Sequence, residues 1–199
     1  MAPPDRARQV LLHVPLALTA TRAVLGPALV LQAIVHPSEA IFGICLVAAF
    51  LSDVFDGIIA RRLGIATVDL RRLDSIADSI FYVCAVYVAW HLHEAQVREY
   101  LVPLAILLGL ELVRYVFDYL KFRREASYHM WSSKAWGVAL FVGFFCLLAL
   151  GISGWPVGLA IYVGIVTDLE GLAVSATLRT WRTDVPSIFH AFELRRSGV

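Results

Sequence analysis

Long apolar segments separated by short polar stretches restrict the fold of this chain more than any other feature. Six of them approach the roughly 20 residues that an α-helix needs to cross a hydrocarbon layer of about 30 Å. They lie at 17–36, 39–60, 74–92, 100–120, 134–152 and 156–178. Every backbone polar group inside a bilayer must be satisfied within the protein, and these segments lack the period-2 alternation of barrel strands. The sequence therefore predicts an all-α integral membrane protein, a bundle of six transmembrane helices.

The composition agrees with this prediction. The 199 residues are 59% hydrophobic and 17% charged, against roughly 45–50% and about 25% in an ordinary soluble domain. The mean hydropathy is +0.73. The 17 Lys and Arg residues nearly balance 16 Asp and Glu residues, so no basic domain is left for nucleic acid. We expect membrane lipids, and no nucleic acid, among the partners.

Basic residues cluster in alternate connections between the apolar segments. They are Arg6, Arg8, Arg61, Arg62, Arg71, Arg72, Lys121, Arg123, Arg124, Lys134, Arg179, Arg182, Arg195 and Arg196. The other connections hold only Arg98. The positive-inside rule then predicts that both termini are cytoplasmic, in a multi-pass protein of the inner membrane. We expect a single domain over 1–199, with an interfacial segment at 1–16 and a cytoplasmic tail at 182–199.

Four aspartates lie near the predicted cytoplasmic ends of the second and third segments. At about 100° per residue, Asp53, Asp56 and Gly57 share one face of a helix, and Asp74 and Asp78 share one face of the next. The short connection predicts that these helices are antiparallel neighbours, which would bring the four carboxylates together. Hard oxygen ligands suit Mg²⁺, Mn²⁺ or Ca²⁺, and two divalent ions would neutralise four charges. An interfacial belt of salt bridges with the nearby arginines is the less favoured interpretation.

Gly57 and Arg61 add features of a phosphate-binding site. Gly57 removes a side chain beside the carboxylates, which lets a bulky ligand approach the backbone. Arg61 lies one turn away and supplies a positive charge. Metal ions and arginine together can bind phosphates, and a pair of metals can stabilise both oxygens of an in-line displacement.

The spacing of these residues resembles the signature of the CDP-alcohol phosphotransferase family. That signature reads DxxDGxxAR, eight residues, G, three residues, D, three residues, D. The positions that match it are Asp53, Asp56, Gly57, Ala60, Arg61, Asp74 and Asp78. Leu70 stands where the signature has its second glycine. A weaker similarity, at Pro15, Thr19, Arg22 and Pro27, is to the first helix of bacterial phosphatidylglycerophosphate-synthase-like members.

The resemblance implies a membrane-embedded, Mg²⁺- or Mn²⁺-dependent transferase of phospholipid biosynthesis. Such an enzyme moves a phosphatidyl or related group from a CDP-linked donor, such as CDP-diacylglycerol, to an alcohol acceptor and releases CMP. It further implies a homodimer whose active site faces the cytoplasm. The resemblance makes Asp53, Asp56 and Asp74 metal ligands and Asp78 a general base that also contacts metal. The residues that it places against CDP are Asp53, Gly57, Ala60 and Arg61.

Lys134 and Arg114 are the candidate acceptor-binding residues, because family members with phosphorylated acceptors keep a basic pocket in this region. Each has a simpler interpretation. Lys134 can serve as a cytoplasmic anchor under the positive-inside rule. Arg114 follows Glu111 by three residues, a spacing that favours an ion pair within one helix.

Two other functions remain open at this point. The same carboxylates could form the ion path of a divalent-cation or small-solute transporter. Leu70 also leaves room for a non-catalytic homologue that binds nucleotide or lipid. The sequence does not identify the alcohol, and release of CMP by the purified protein separates these possibilities.

Overall fold

The computed structural model describes residues 5–63, 68–124 and 128–197, with side chains described except at 5–13, 60, 61, 63, 68, 69 and 71. Within these ranges the chain forms eight helices and no strand, which confirms the all-α prediction. They are α1 (Asp5–Val35), α2 (Glu39–Leu63), α3 (Val68–Leu92), α4 (Glu94–Arg98), α5 (Leu101–Phe122), α6 (Trp131–Ala149), α7 (Trp155–Thr177) and α8 (Ile188–Arg196).

Among the residues that the structure describes, five helices contain a segment that is long and apolar enough to cross a membrane. These segments are Val14–Val35, Glu39–Ile59, Arg72–Leu92, Trp131–Ala149 and Trp155–Thr177. Many of their apolar side chains point away from the protein; Val24, Ile44 and Val83 are each 68% exposed, as expected for surfaces that face lipid. The chain is therefore a multi-pass membrane protein.

Helix α5 is the sixth predicted span and is not among these five. It has 22 residues, enough for about 33 Å at 1.5 Å per residue. Glu111, Arg114 and Asp118 lie in successive turns of it and lower its apolar character. The crossing of the membrane by α5, and with it the position of both termini, stays a prediction.

The chain divides into two compact units, Met1–Glu94 with Leu147–Gly151, and Ala95–Cys146 with Ile152–Val199. Helix boundaries differ from the predicted ones mainly at the ends. Helix α1 begins at Asp5 and so runs through much of the segment assigned to the interface, and the tail contains α8. The prediction of one domain over the whole chain is not tested by this division.

In the first unit, α1 packs closely against both α2 and α3, which make at most sparse backbone contact with each other in the described residues. In the described residues, α2 and α3 therefore approach each other through side chains such as Asp56 and Asp74 rather than through close backbone packing. Gly26 allows the close approach of α1 to α3, because a Cβ atom there would lie 3.1 Å from the Cα of Phe81. Small residues at such crossings are typical of membrane helices.

In the second unit, α7 packs against α5 and α8. Gly164 of α7 receives the ring of Trp136, whose Nε1 donates to the carbonyl of Ala160 at 3.1 Å. At the end of α7, the Lys121 ammonium donates to the carbonyls of Ser175 and Ala176, at 2.8 and 3.1 Å. A cation at this end neutralises the negative end of the helix dipole, so Lys121 joins α5 to α7.

Candidate active site

The four aspartates predicted from the sequence meet at one buried arginine, Arg22 of α1, which is 1% exposed. Its Nη1 donates to Asp53 Oδ1 at 2.7 Å and also to Asp78. Its Nη2 donates to Asp56 Oδ2 at 2.5 Å and also to Asp74. A guanidinium group presents several N–H donors in one plane, so a single side chain can contact carboxylates from two helices at once.

Helix periodicity explains why the cluster forms here. Along α1, the buried residues Thr19, Arg22, Gly26 and Leu29 follow one another at intervals of three or four. The arginine therefore lies on the face that packs against α2 and α3. Asp56 of α2 is buried on the opposing face. The hydroxyl of Thr19 donates to a carbonyl of its own helix at 3.0 Å and lies 3.5 Å from Asp56 Oδ2. Three helices therefore build the site.

The exposure of the carboxylates is graded across the cluster. The side chain of Asp56 is 6% exposed, whereas that of Asp53 is 48% exposed, and Asp74 and Asp78 lie between these values. The cluster is therefore buried on the Asp56 side and open to solvent or ligand on the Asp53 side.

Three of the four carboxylates are arranged as a possible metal site. One oxygen from each of Asp53, Asp56 and Asp74 lies within 4.8 Å of the other two, whereas Asp78 is outside this group. The donor set fits a hard divalent cation, because all the ligand atoms are carboxylate oxygens. The charge also fits, since Arg22 compensates only one of the four negative charges.

The remaining residues of the signature lie beside this cluster in the chain. Gly57 is half-buried and follows Asp56 on α2, and Leu70 is half-buried in the first turn of α3. The side chains of Ala60 and Arg61, which were predicted to face CDP, lie outside the described ones.

Arg22 was not among the site residues predicted from the sequence. A signal was present, because an arginine inside a predicted span is costly unless it finds an acidic partner. Arg22 is the arginine within the first apolar segment, and the four aspartates were the acids that still required compensation. Distance in sequence concealed the pairing: 31 to 56 residues separate Arg22 from its partners.

Arg114, a candidate acceptor-binding residue, forms an ion pair with α7. Its Nη1 lies 3.1 Å from Oδ1 of Asp168, a carboxylate that is fully buried. Gly171 makes room for the arginine, because a Cβ atom there would lie 2.9 Å from Arg114 Cδ. Glu111, the expected partner, is exposed, and the ion pair that the structure shows for Arg114 is with Asp168 instead. Asp168 is buried and Glu111 is exposed, so an unpaired charge would be more costly on Asp168 than on Glu111.

Lys134, the other candidate acceptor-binding residue, is exposed in the first turn of α6. Its ammonium lies 4.2 Å from the ring centroid of Trp131, a cation–π distance. The backbone N–H of Trp131 donates to the carbonyl of Pro186 at 3.1 Å, which connects the start of α6 to the segment before α8.

A buried polar pair lies nearby in sequence. The hydroxyl of Tyr128 is 2.8 Å from Oγ of Ser175 on α7. Burial raises the pKa of Tyr128, so this side chain stays protonated and can donate to Ser175. The pair helps to attach the connection before α6 to α7.

Comparison with known proteins gives one family. The sequence model for CDP-alcohol phosphatidyltransferase matches residues 12–168, a range that includes Arg22, all four aspartates, Arg114 and Lys134. No curated protein and no solved structure gives a significant match to the chain.

Proposed function

The chain belongs to the CDP-alcohol phosphatidyltransferase family, and on this basis we propose that it transfers a phosphatidyl or related phospho-alcohol group from a CDP-linked donor to an alcohol. CDP-diacylglycerol is the proposed donor, CMP is the second product, and the role is in phospholipid biosynthesis. The reaction takes place at the cytoplasmic face of the inner membrane.

One observation carries this proposal: the four aspartates of the family signature converge on a single site although they come from two different helices. Asp53, Asp56 and Asp74 place their oxygens within 4.8 Å of each other. A purely structural salt bridge with Arg22 would need one carboxylate. Four of them concentrate more negative charge than the arginine can neutralise, and such an excess indicates a site for cationic ligands.

Each residue has a role that follows from its position. Asp53, Asp56 and Asp74 hold one or two Mg²⁺ or Mn²⁺ ions; when bound, these would neutralise the carboxylates and polarise the donor pyrophosphate. Asp78 contacts Arg22 but lies outside the group of three, and so keeps a carboxylate that can accept a proton. It takes the proton of the acceptor hydroxyl as general base.

The bond changes then balance. The acceptor oxygen, losing its proton to Asp78, forms a bond to the lipid-side phosphorus of the donor. The bond from that phosphorus to the bridging oxygen breaks, and CMP leaves with the electron pair. Asp53, Gly57, Ala60 and Arg61 contact the CDP moiety, and Lys134 and Arg114 contact the acceptor. The active form is a homodimer.

The test is release of CMP by the purified protein in detergent or proteoliposomes with CDP-diacylglycerol and Mg²⁺ or Mn²⁺. The acceptor panel contains glycerol 3-phosphate, inositol phosphate, serine, a phosphatidyl lipid and a polyol. We expect CMP and a lipid product with at least one acceptor, and neither in the presence of a chelator. Nucleotide binding without CMP release with any acceptor would indicate a non-catalytic homologue. Uptake of divalent cations into proteoliposomes without CMP release would indicate a transporter.

A further inference from the structure

Arg22 already provides a cation to the carboxylates that are proposed to bind metal. Its two terminal nitrogens contact all four aspartates. Among the described residues its Nε is buried without a hydrogen-bond partner. The hydrogen bonds between this guanidinium group and other described side chains are therefore made with the acidic cluster, and the site contains a positive charge before any ligand arrives.

The arginine and the aspartates depend on each other. A buried guanidinium group without a counterion is strongly destabilising, and so is a group of carboxylates in a low-dielectric environment. Arg22 lies on α1, whereas its partners lie on α2 and α3, and the described residues of those two helices show little close backbone packing with each other. The ion pairs therefore hold the polar ends of three helices together in the absence of metal.

A divalent cation that binds Asp53, Asp56 and Asp74 requires oxygens of the same three carboxylates. Arg22 donates to one oxygen of each of them. Two positive groups at such distances repel each other, and they share one set of acceptors. The guanidinium group therefore opposes the binding of a metal ion, and this repulsion is relieved when the arginine releases some of these carboxylates.

We propose that Arg22 is an internal counter-cation of the active site, which stabilises the metal-free cluster and competes with divalent cations for the same carboxylates. The inference rests on the proposed function in one respect, the binding of divalent cations by these aspartates. If Arg22 has this role, removal of its charge has two opposite effects. The metal-free protein becomes less stable, and the affinity for divalent cations rises. A residue that only positioned the aspartates as ligands would weaken metal binding when removed, so the sign of the change separates the two roles.

The experiment compares the wild type with Arg22→Gln in two measurements on the purified full chain in detergent. The first is a Mn²⁺ titration followed by electron paramagnetic resonance. The second is thermal unfolding in EDTA and in Mg²⁺. We expect the variant to bind Mn²⁺ on the order of tenfold more tightly, within the usual range of coupling between two ligands. We also expect a lower unfolding temperature in EDTA and a larger increase on addition of Mg²⁺.

Arg196→Gln is the control, since it removes the same charge from an exposed arginine in the last turn of α8. Its Mn²⁺ affinity should equal that of the wild type. If Arg22→Gln does not fold even in Mg²⁺, Arg22→Lys replaces it. The lysine ammonium cannot contact four carboxylates in the fork geometry of a guanidinium group, so it should compete less well and Mn²⁺ should again bind more tightly.

Unchanged or weaker Mn²⁺ binding in the folded variant would overturn the proposal. An equal unfolding temperature of Arg22→Gln and wild type in EDTA would do the same. Neither measurement uses a donor or an acceptor, so a failure to release CMP leaves both results interpretable. Absence of Mn²⁺ binding by the wild type would contradict the competition itself, whether or not CMP is released.

Discussion

At the scale of single residues, the charged side chains of the aspartate cluster differ in how far they are buried. Arg22 and Asp56 are both nearly inaccessible to solvent. Hydration therefore cannot stabilise their charges, and each needs an oppositely charged partner. Asp53 is about half exposed and forms the open side of the cluster. The residues differ in burial although they belong to the same motif, and we expect their substitutions to have different effects.

Asp56→Asn removes one ligand charge and nearly preserves the shape of the side chain. We expect it to abolish metal-dependent nucleotide binding and CMP release. The loss should exceed the roughly 10–100-fold that removal of an outer-shell partner costs at a metal site. Titration of Mn²⁺ and the CMP assay measure this, with Glu193→Gln on the exposed face of α8 as control. Normal CMP release from a well-folded Asp56→Asn protein would contradict the assignment of the metal site.

Asp78 and Asp53 should separate catalysis from donor binding. Asp78→Asn removes the proposed base and should lower the rate of CMP release by the 10²–10⁴-fold typical of general-base removal, with donor affinity largely retained. Asp53→Asn should lose both affinity and rate, because Asp53 belongs to the group of three carboxylates. Donor titration and CMP release are measured on both variants. If Asp78→Asn weakens donor binding as much as Asp53→Asn does, Asp78 is chiefly a metal ligand.

At the scale of helices, small residues decide which helices come close enough to carry the functional side chains. Gly26 brings α1 against α3, one turn from Arg22. Gly171 makes room on α7 for Arg114. Within a membrane the hydrophobic effect does little to drive helix association. Close packing of this kind therefore contributes much of the stability of the helix–helix contacts. The positions of the functional side chains therefore depend on glycines that cannot themselves bind a ligand or take part in catalysis through a side chain.

Gly164→Ala tests this dependence in the second unit. A Cβ atom at Gly164 would lie 2.6 Å from Nε1 of Trp136 and 2.9 Å from Cδ1 of Leu107. Such an overlap forces the ring to move and should destabilise the protein by about 1–3 kcal/mol. Thermal unfolding in detergent measures the effect. Gly109→Ala on α5 is the matched control, because no described atom lies within 4 Å of its Cβ position. It should leave stability unchanged or raise it by up to about 1 kcal/mol; equal losses in both variants would contradict the packing explanation.

At the scale of the whole molecule, the crossing of α5 determines the topology. In the described part of the chain, five helices are long and apolar enough to span a membrane, and an odd number of crossings would place the termini on opposite sides of the membrane. The basic residues of alternate connections instead predict six crossings and two cytoplasmic termini. The ion pair of Arg114 with Asp168 lowers the cost of placing a charged α5 in the bilayer.

A reporter fused after Val199 and a cysteine at Gln96 decide between these topologies. The cysteine is placed in a background without Cys45, Cys84 and Cys146. With six crossings, the reporter is cytoplasmic and the cysteine reacts with an impermeant reagent in intact cells. An external reporter would show that α5 does not cross. Labelling of the cysteine only after lysis would contradict the predicted orientation of the first three helices.

Several features could be predicted from the sequence because they depend on local periodicity. Apolar length predicted the helical membrane fold, and residue spacing placed Asp53 with Asp56 and Asp74 with Asp78 on shared faces, since a helix fixes the relation between residues three and four apart. The identities and spacing of the signature residues also carried the family resemblance, which the match over residues 12–168 confirms.

Only the tertiary structure decided which charges meet. Arg22 pairs with aspartates on two other helices, and Arg114 pairs with Asp168 rather than with Glu111 in its own helix. The packing of α1 against both α2 and α3 was likewise not predicted. The aspartates of α2 and α3 nevertheless converge as expected. Side chains far apart in sequence become partners only when helix packing brings their faces together, and a buried charge pairs with the opposite charge that packing places within reach.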